Sequence, residues 1–116
     1  MKIREVLETY PEKIAEEEYR YLGFQQNKED CEATMRKLEA DITKLIEDKS
    51  NTEEYKKEIS NATKRAFAVK QELNNNKGYK ELLTESKSLT NTLLKLKIDI
   101  SRLKREFRSA ETLGRL

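Results

Sequence analysis

Mostly apolar side chains recur at alternating steps of four and three residues near the carboxyl-terminal end of the chain. The series comprises Leu82, Ser86, Leu89, Leu93, Leu96, Ile100, Leu103, Phe107 and Ala110. Positions spaced in this way fall on one narrow stripe of an α-helix that winds slightly around a partner helix. The pattern therefore predicts a long helix over 79–113 that is packed along its length.

A second series with the same spacing occupies the first half of the chain. Two of its positions are charged and most of the others are apolar: Ile14, Glu17, Tyr21, Phe24, Lys28, Cys31, Met35, Leu38, Ile42 and Leu45. Pro11 precedes the series, and proline is tolerated in the first turn of a helix but disfavoured in its interior. We therefore expect a short helix over 2–9, a break near Thr9–Tyr10 and a long helix over 11–48.

The spacing shifts by one residue after this helix, and the next series runs through Tyr55, Ile59, Ala62, Ala66, Val69 and Leu73. A turn explains the shift, because two residue pairs have the three-residue spacing of a capping box. These pairs are Ser50 with Glu53 and Asn51 with Glu54. With the turn, a second helix covers about 53–74. The alternative is one continuous helix with a coiled-coil discontinuity at this point.

The stretch Asn74–Gly78 is the strongest break in the sequence, since it contains three asparagines and a glycine within five residues. Asparagine and glycine accept left-handed backbone angles, so Gly78 is expected to cap the second helix at its carboxyl end. The third helix then covers 79–113, and Gly114 ends it.

Composition favours burial along narrow seams, because 40% of the residues are charged and only 35% are hydrophobic. The predicted fold class is all-α: a single helical domain over 1–116, built as a long-helix coiled-coil bundle with a short N-terminal helix and three further helices. One chain has too little apolar surface to cover such long helices, so we expect a homo-oligomer. The expected interface lies on the third helix and consists of Leu89, Leu93, Leu96, Ile100, Leu103 and Phe107. Leu94 and Ile98 form a second apolar flank beside it.

Several classes of chemistry lack their usual residues. The chain contains no histidine, so the commonest general base and the commonest zinc ligand are missing. Its single cysteine, Cys31, falls on the apolar stripe and cannot form an internal disulfide. We find no glycine-rich phosphate loop and no metal-ligand spacing. The expectation is therefore a protein that is not an enzyme and uses no cofactor, metal or small-molecule substrate. Without an apolar run of 18 residues or a leader segment, it is also expected to be soluble and cytoplasmic, with no membrane partner.

Charge is distributed unevenly along the chain. Residues 1–48 carry eight Lys and Arg against thirteen Asp and Glu, whereas residues 76–116 carry ten against five. The acidic first arm could pair with the basic last arm, which would leave the basic residues as an ordinary solvated coiled-coil face. The other interpretation is contact with nucleic-acid phosphates. The candidate residues for that contact are Lys57, Lys64, Arg65, Lys70, Lys104, Arg105 and Arg108.

The layout resembles the UvsY-like recombination mediator proteins of phages, which help to load a recombinase on single-stranded DNA covered by single-strand-binding protein. The likeness covers most of the chain. It lies in the order of a short N-terminal helix, a long acidic and aromatic helix, a basic stretch at 61–66, a polar break at 74–78 and a leucine-rich helix. This last helix ends in the basic segment 103–110.

The resemblance implies a ring-like homo-oligomer in a bacterial or phage-infected cell, with Lys64 and Arg65 as the basic pair that touches single-stranded DNA. A recombinase and a single-strand-binding protein are the implied partners. The chain departs from the family pattern in having only Phe67 as an aromatic residue near the basic pair, so phosphate contact is expected rather than base stacking. A second hypothesis is a coiled-coil protein–protein interaction module without nucleic-acid binding, such as a phage structural scaffold, an adaptor or an inhibitor.

Overall fold

The computed structural model describes residues 2–52 and 61–115 of the 116-residue chain. These residues form three α-helices: α1 is Ile3–Ser50, α2 is Ala62–Asn75 and α3 is Lys77–Gly114. Helix accounts for 94% of the described residues, and none of them belongs to a β-strand. The predicted all-α class is confirmed.

The break predicted near Thr9–Tyr10 is wrong, because α1 continues through Pro11 without interruption. A proline at this point removes one helical hydrogen bond and crowds the carbonyl four residues earlier. Contacts made by residues just before Pro11 offset that cost. Val6 is only 5% exposed, and the Tyr10 hydroxyl donates a hydrogen bond of 2.6 Å to Glu106 on α3. The segment predicted as a separate helix over 2–9 is therefore the first part of α1.

A turn follows α1, so the continuous-helix alternative is wrong. The amides of Asn51 and Thr52 donate to the carbonyls of Asp48 and Lys49, at 3.2 and 3.0 Å. Each predicted capping box contains one residue, Glu53 or Glu54, that lies outside the described residues.

Helix α2 begins later than the predicted residue 53. Asn61 has an extended backbone, with φ −127° and ψ 166°, and its side chain accepts a hydrogen bond of 2.8 Å from the amide of Lys64. An asparagine in this geometry satisfies one of the free amides at the start of a helix. Asn61 is therefore the N-terminal cap of α2. Because its backbone is extended, the predicted helix over 53–74 cannot run unbroken through this residue.

One residue separates α2 from α3, and it caps both helices. The amide of Asn76 donates to the carbonyl of Leu73 at 3.1 Å, while its side-chain oxygen accepts from the amide of Tyr79 at 2.8 Å. The prediction that Gly78 caps α2 is wrong, since Gly78 lies in the first turn of α3. No glycine in the described residues has a positive φ. The backbone amide of Asn76 thus makes the α2 cap that was predicted for glycine, and its side chain caps the start of α3.

The helices form two compact units. The first contains α1 up to Lys28 and α3 from Ser88 onward. The two segments are antiparallel, because Ile3 lies beside Gly114 and Tyr10 bonds to Glu106. The buried apolar residues of this unit are Val6, Leu93, Leu96, Leu103 and Ala110.

The second unit contains the remainder of α1, all of α2 and the first part of α3, up to Lys87. Its core pairs two buried α1 residues, Ile42 and Ile46, with apolar residues of α2: Ala68, Val69 and Leu73. Two polar contacts join α1 to α3. The Cys31 thiol donates to the carbonyl of Leu82 at 3.2 Å, and the Tyr79 hydroxyl donates to Glu39 at 2.8 Å.

Truncation of the buried stripe should destabilise the first unit. Leu96 is 4% exposed, so Leu96→Ala is expected to lower the free energy of unfolding by about 2–5 kcal/mol, since it leaves a cavity as well as losing apolar burial. Leu113→Ala is the matched control, because Leu113 is 47% exposed on the same helix and should cost below about 1 kcal/mol. Urea denaturation followed by circular dichroism measures both values. Equal losses would contradict the assignment of Leu96 to the core.

Candidate nucleic-acid interface

The basic residues predicted to contact nucleic acid fall into two separate sets. Lys64, Arg65 and Lys70 lie on α2, in the second unit, whereas the other set lies on α3, in the first unit: Lys104, Arg105 and Arg108. Lys57 lies outside the described residues. Each set is therefore a surface of its own unit.

On α2, Lys64 and Lys70 are exposed on either side of an exposed aromatic ring. Phe67 is 62% exposed, and each lysine is three residues away from it, which places all three on one side of the helix. Thr63 and Gln71, four residues from Phe67, are also exposed. We call these five residues the α2 surface. The sequence signal for it is a phenylalanine with a lysine three residues before and three residues after.

Arg65 lies on a different side of α2 from Lys64. Neighbouring residues of an α-helix point about 100° apart, and Arg65 is half-buried in a groove against α1, beside Ile46, Glu47 and Val69. The two residues matched to the basic pair of UvsY-like proteins are therefore not presented together. Their adjacency in sequence suggested a pair, but the packing of α2 on α1 separates them.

On α3, Lys104, Arg105 and Arg108 are all exposed; we call them the α3 surface. Lys104 lies 3.9 Å from Glu18 of α1, at the edge of a groove that is also lined by Leu22, Lys97 and Ile100. This ion pair is one contact of the kind predicted between the acidic first arm and the basic last arm. The ion pair is half-exposed, so its contribution to stability is small.

Arg105 and Arg108 differ from Lys104 in their surroundings. Within residues 2–52 and 61–115, no carboxylate oxygen lies within 4.0 Å of either guanidinium. An arginine without a carboxylate partner keeps its five donors available for a phosphate. Pairing with the acidic arm thus leaves part of the α3 surface uncompensated.

A tyrosine–carboxylate contact holds the two helices together beside this surface. Glu106 accepts hydrogen bonds from Tyr10, at 2.6 Å, and from Arg102, at 3.3 Å. The bond from Tyr10 holds the pKa of Glu106 below its usual value, and nearby Arg102 and Arg105 add to the effect. The same bond raises the pKa of Tyr10. Tyr10 and Arg102 therefore hydrogen-bond the Glu106 carboxylate, although Arg105 is its neighbour in sequence.

The predicted oligomer interface is in part covered by the chain itself. Leu93, Leu96 and Leu103 are buried within a single chain, and the other members are half-buried: Leu89, Ile100 and Phe107. Their burial needs no second copy, because α1 supplies the facing residues. The assignment of these six residues to contacts between copies stays a prediction. Leu94 and Ile98, on the flank beside them, are 57% and 58% exposed.

No group of three or more Cys, Asp or Glu side chains in the described ranges could hold a metal ion. Across the same ranges, none of the helices has an apolar stretch long enough to span a bilayer.

No protein-family model, curated protein or solved structure matches this chain. The resemblance to UvsY-like proteins therefore stays a prediction from sequence.

Removal of the Tyr10 hydroxyl should lower the melting temperature in a pH-dependent way. The contribution of Glu106 is present above its ordinary pKa of 4.5 and is lost as the pH falls through the lower folded value. The contribution of Tyr10 is present below its ordinary pKa of 10.0 and is lost as the pH rises through the higher folded value. The deficit of Tyr10→Phe should therefore be greatest between these limits and shrink outside them.

Thermal melts followed by circular dichroism at several pH values measure this deficit. Tyr19→Phe is the control, because Tyr19 is 81% exposed on α1 and its hydroxyl should contribute little. A deficit that stays constant from acid to alkaline pH would show that Tyr10 acts through packing alone.

Proposed function

We propose that this chain is a non-enzymatic, oligomeric helical protein that binds single-stranded DNA and serves as a recombination accessory factor. The observation that carries the proposal is the pair of exposed guanidinium groups, Arg105 and Arg108, neither of which has a carboxylate oxygen within 4.0 Å in the described residues. A basic face that only balanced the acidic arm would have its charges matched by that arm. The α2 surface adds the exposed ammonium groups of Lys64 and Lys70.

The proposed mechanism is electrostatic. Each Lys or Arg that neutralises a phosphate releases a condensed counterion, so the affinity falls as the salt concentration rises. Such contacts read the backbone and carry little sequence information. Several copies of the chain would combine weak phosphate sites into one multivalent site, which would hold the strand for a recombinase in the presence of single-strand-binding protein.

Oligomerisation is proposed through the flank formed by Leu94 and Ile98. Leu22 of α1 is also exposed and lines the groove that contains Lys97 and Lys104, in the same unit. Apolar side chains exposed along a helix are covered favourably by another helix with a similar stripe. This is a coiled-coil contact between copies that leaves Leu93, Leu96 and Leu103 in the core of each chain.

The exposed apolar flank also favours a second candidate function. The partner at this flank could be a different protein instead of a second copy, packed on Leu22, Leu94 and Ile98. In that case the chain is a coiled-coil interaction module, as in a scaffold, adaptor or inhibitor. Nucleic-acid binding is then absent, so failure to bind an oligonucleotide at low salt would favour this candidate over the first.

Neutralisation of the α3 surface should weaken binding and flatten its salt dependence. For a single-stranded oligonucleotide, Arg105→Gln with Arg108→Gln is expected to reduce the slope of log affinity against log salt by about 1.4, or about 0.7 for each lost phosphate contact. Fluorescence anisotropy of a labelled oligonucleotide at several salt concentrations measures the slope.

The matched control removes two arginines that already have acidic partners in the same unit. Arg4 pairs with Glu8 at 3.0 Å and Arg20 with Glu17 at 3.1 Å, so Arg4→Gln with Arg20→Gln should change the slope little. An unchanged slope for the double variant at Arg105 and Arg108, with wild-type binding intact, would refute the assigned site.

Polar substitution of the flank should dissociate the oligomer while the helices persist. Leu94→Ser with Ile98→Ser is expected to reduce the mass measured by light scattering to that of one chain, because both side chains are more than half exposed in the single chain. Leu113→Ser removes a similarly exposed leucine and serves as the control. An oligomer that survives the double substitution would place the interface elsewhere, and a monomeric wild type at every concentration would exclude the oligomer.

A further inference from the structure

The position of Phe67 on α2 follows from the packing of the opposite side of the helix. Val69 and Leu73 pack against Ile42 and Ile46 in the core of the second unit. Phe67 precedes Val69 by two residues and therefore points about 200° away from it around the helix. The ring cannot enter the core without displacing Val69, so the exposure of Phe67 is a property of the register between α1 and α2.

The α2 residues around Phe67 are cationic and polar. Lys64 and Lys70 flank the ring three residues away on each side, and Thr63 and Gln71 complete the α2 surface. The acidic residue of α2 is Glu72, which lies five residues from Phe67 and so points about 140° away. The α2 surface thus presents one aromatic face between two positive charges, with no carboxylate of its own helix beside it.

From this arrangement we infer that Phe67 is a stacking residue for a base of single-stranded DNA, while Lys64 and Lys70 contact the phosphates on either side of that nucleotide. The inference rests on the proposed function and names the contact that α2 makes in it. Stacking on an aromatic ring tolerates any base, because every base has a π-face. Phosphate neutralisation by the two lysines supplies the salt-dependent part of the binding.

The same arrangement disfavours a protein as the occupant of the α2 surface. Binding residues of protein interfaces cluster in apolar, desolvated pockets, whereas the residues around Phe67 on this surface are charged or polar. A DNA duplex would use only the lysines, since its bases are already stacked on one another. The inference therefore separates two contributions: Phe67 favours single strands, and Lys64 and Lys70 favour any polyanion.

A tryptophan in place of Phe67 tests stacking directly. The chain contains no tryptophan, so Phe67→Trp introduces a single indole whose fluorescence is quenched when a base stacks on it. Addition of a single-stranded oligothymidylate is expected to quench the signal, and an oligonucleotide of the same length made of abasic sites is expected to quench it far less. Tyr19→Trp is the matched control on an exposed aromatic position beside Glu12 and Glu16 of α1, where the signal should not change.

Affinity measurements complete the test. Phe67→Ala is expected to weaken binding to the oligothymidylate about tenfold and to leave binding to the abasic strand unchanged, because one stacked base is lost. Phe67→Tyr should retain the wild-type affinity. Lys70→Gln should instead reduce the salt slope by about 0.7 with both strands. Circular dichroism should be unaltered in all variants, since these side chains lie outside the core.

The outcomes distinguish the inference from the proposed function. If the wild-type chain fails to bind the oligothymidylate at low salt, the proposed function fails and the stacking role fails with it. If the wild type binds but Phe67→Trp is not quenched and Phe67→Ala binds equally well, only the stacking role is overturned. A change in oligomer mass in Phe67→Ala, with unchanged DNA affinity, would identify the ring as a protein contact and would also overturn the inference.

Discussion

The burial of one apolar stripe of α1 against α2 and α3 is the interaction on which the rest of the structure depends. In the first unit α3 covers α1 through Leu93, Leu96 and Leu103, and in the second unit Ile42 and Ile46 pack on α2. With 40% charged residues, the chain has few other apolar positions to bury. The register of these stripes therefore decides which side chains reach the surface, including both sets of basic residues.

The all-α class and the approximate extent of the long helices could be predicted from the sequence, because a 4–3 spacing of apolar residues is a local property. The details at the helix ends could not. Pro11 suggested a break because proline is unfavourable inside a helix, but contacts of Val6 and Tyr10, just before it, keep α1 continuous. Glycine suggested the cap between α2 and α3, yet the side chain and backbone of Asn76 cap both helices. In both cases the deciding interactions are not visible in the residue type alone.

The candidate site shows a similar division. The basic character of α2 and of the end of α3 could be predicted from composition, but the direction of each side chain depends on packing. Lys64 and Arg65 are neighbours in sequence and face different surroundings, since Arg65 lies against α1. Phe67 was not expected to stack on a base; its spacing from two lysines is visible in the sequence, but its exposure between them emerges only when the buried side of α2 is known. Likewise, the heptad positions of α3 could not reveal whether their partner helix belongs to the same chain.

The reactivity of the Cys31 thiol can report local separation of α1 from α3 in the second unit. The thiol is buried and donates to the carbonyl of Leu82 across the α1–α3 contact, and its burial raises the pKa of the thiol. Only the exposed thiolate reacts readily with alkylating reagents. The alkylation rate of this single cysteine therefore follows how often α1 and α3 separate near Leu82, which is a local event distinct from global unfolding. Local opening of this unit can thus be followed through the chain's own cysteine, without an introduced residue.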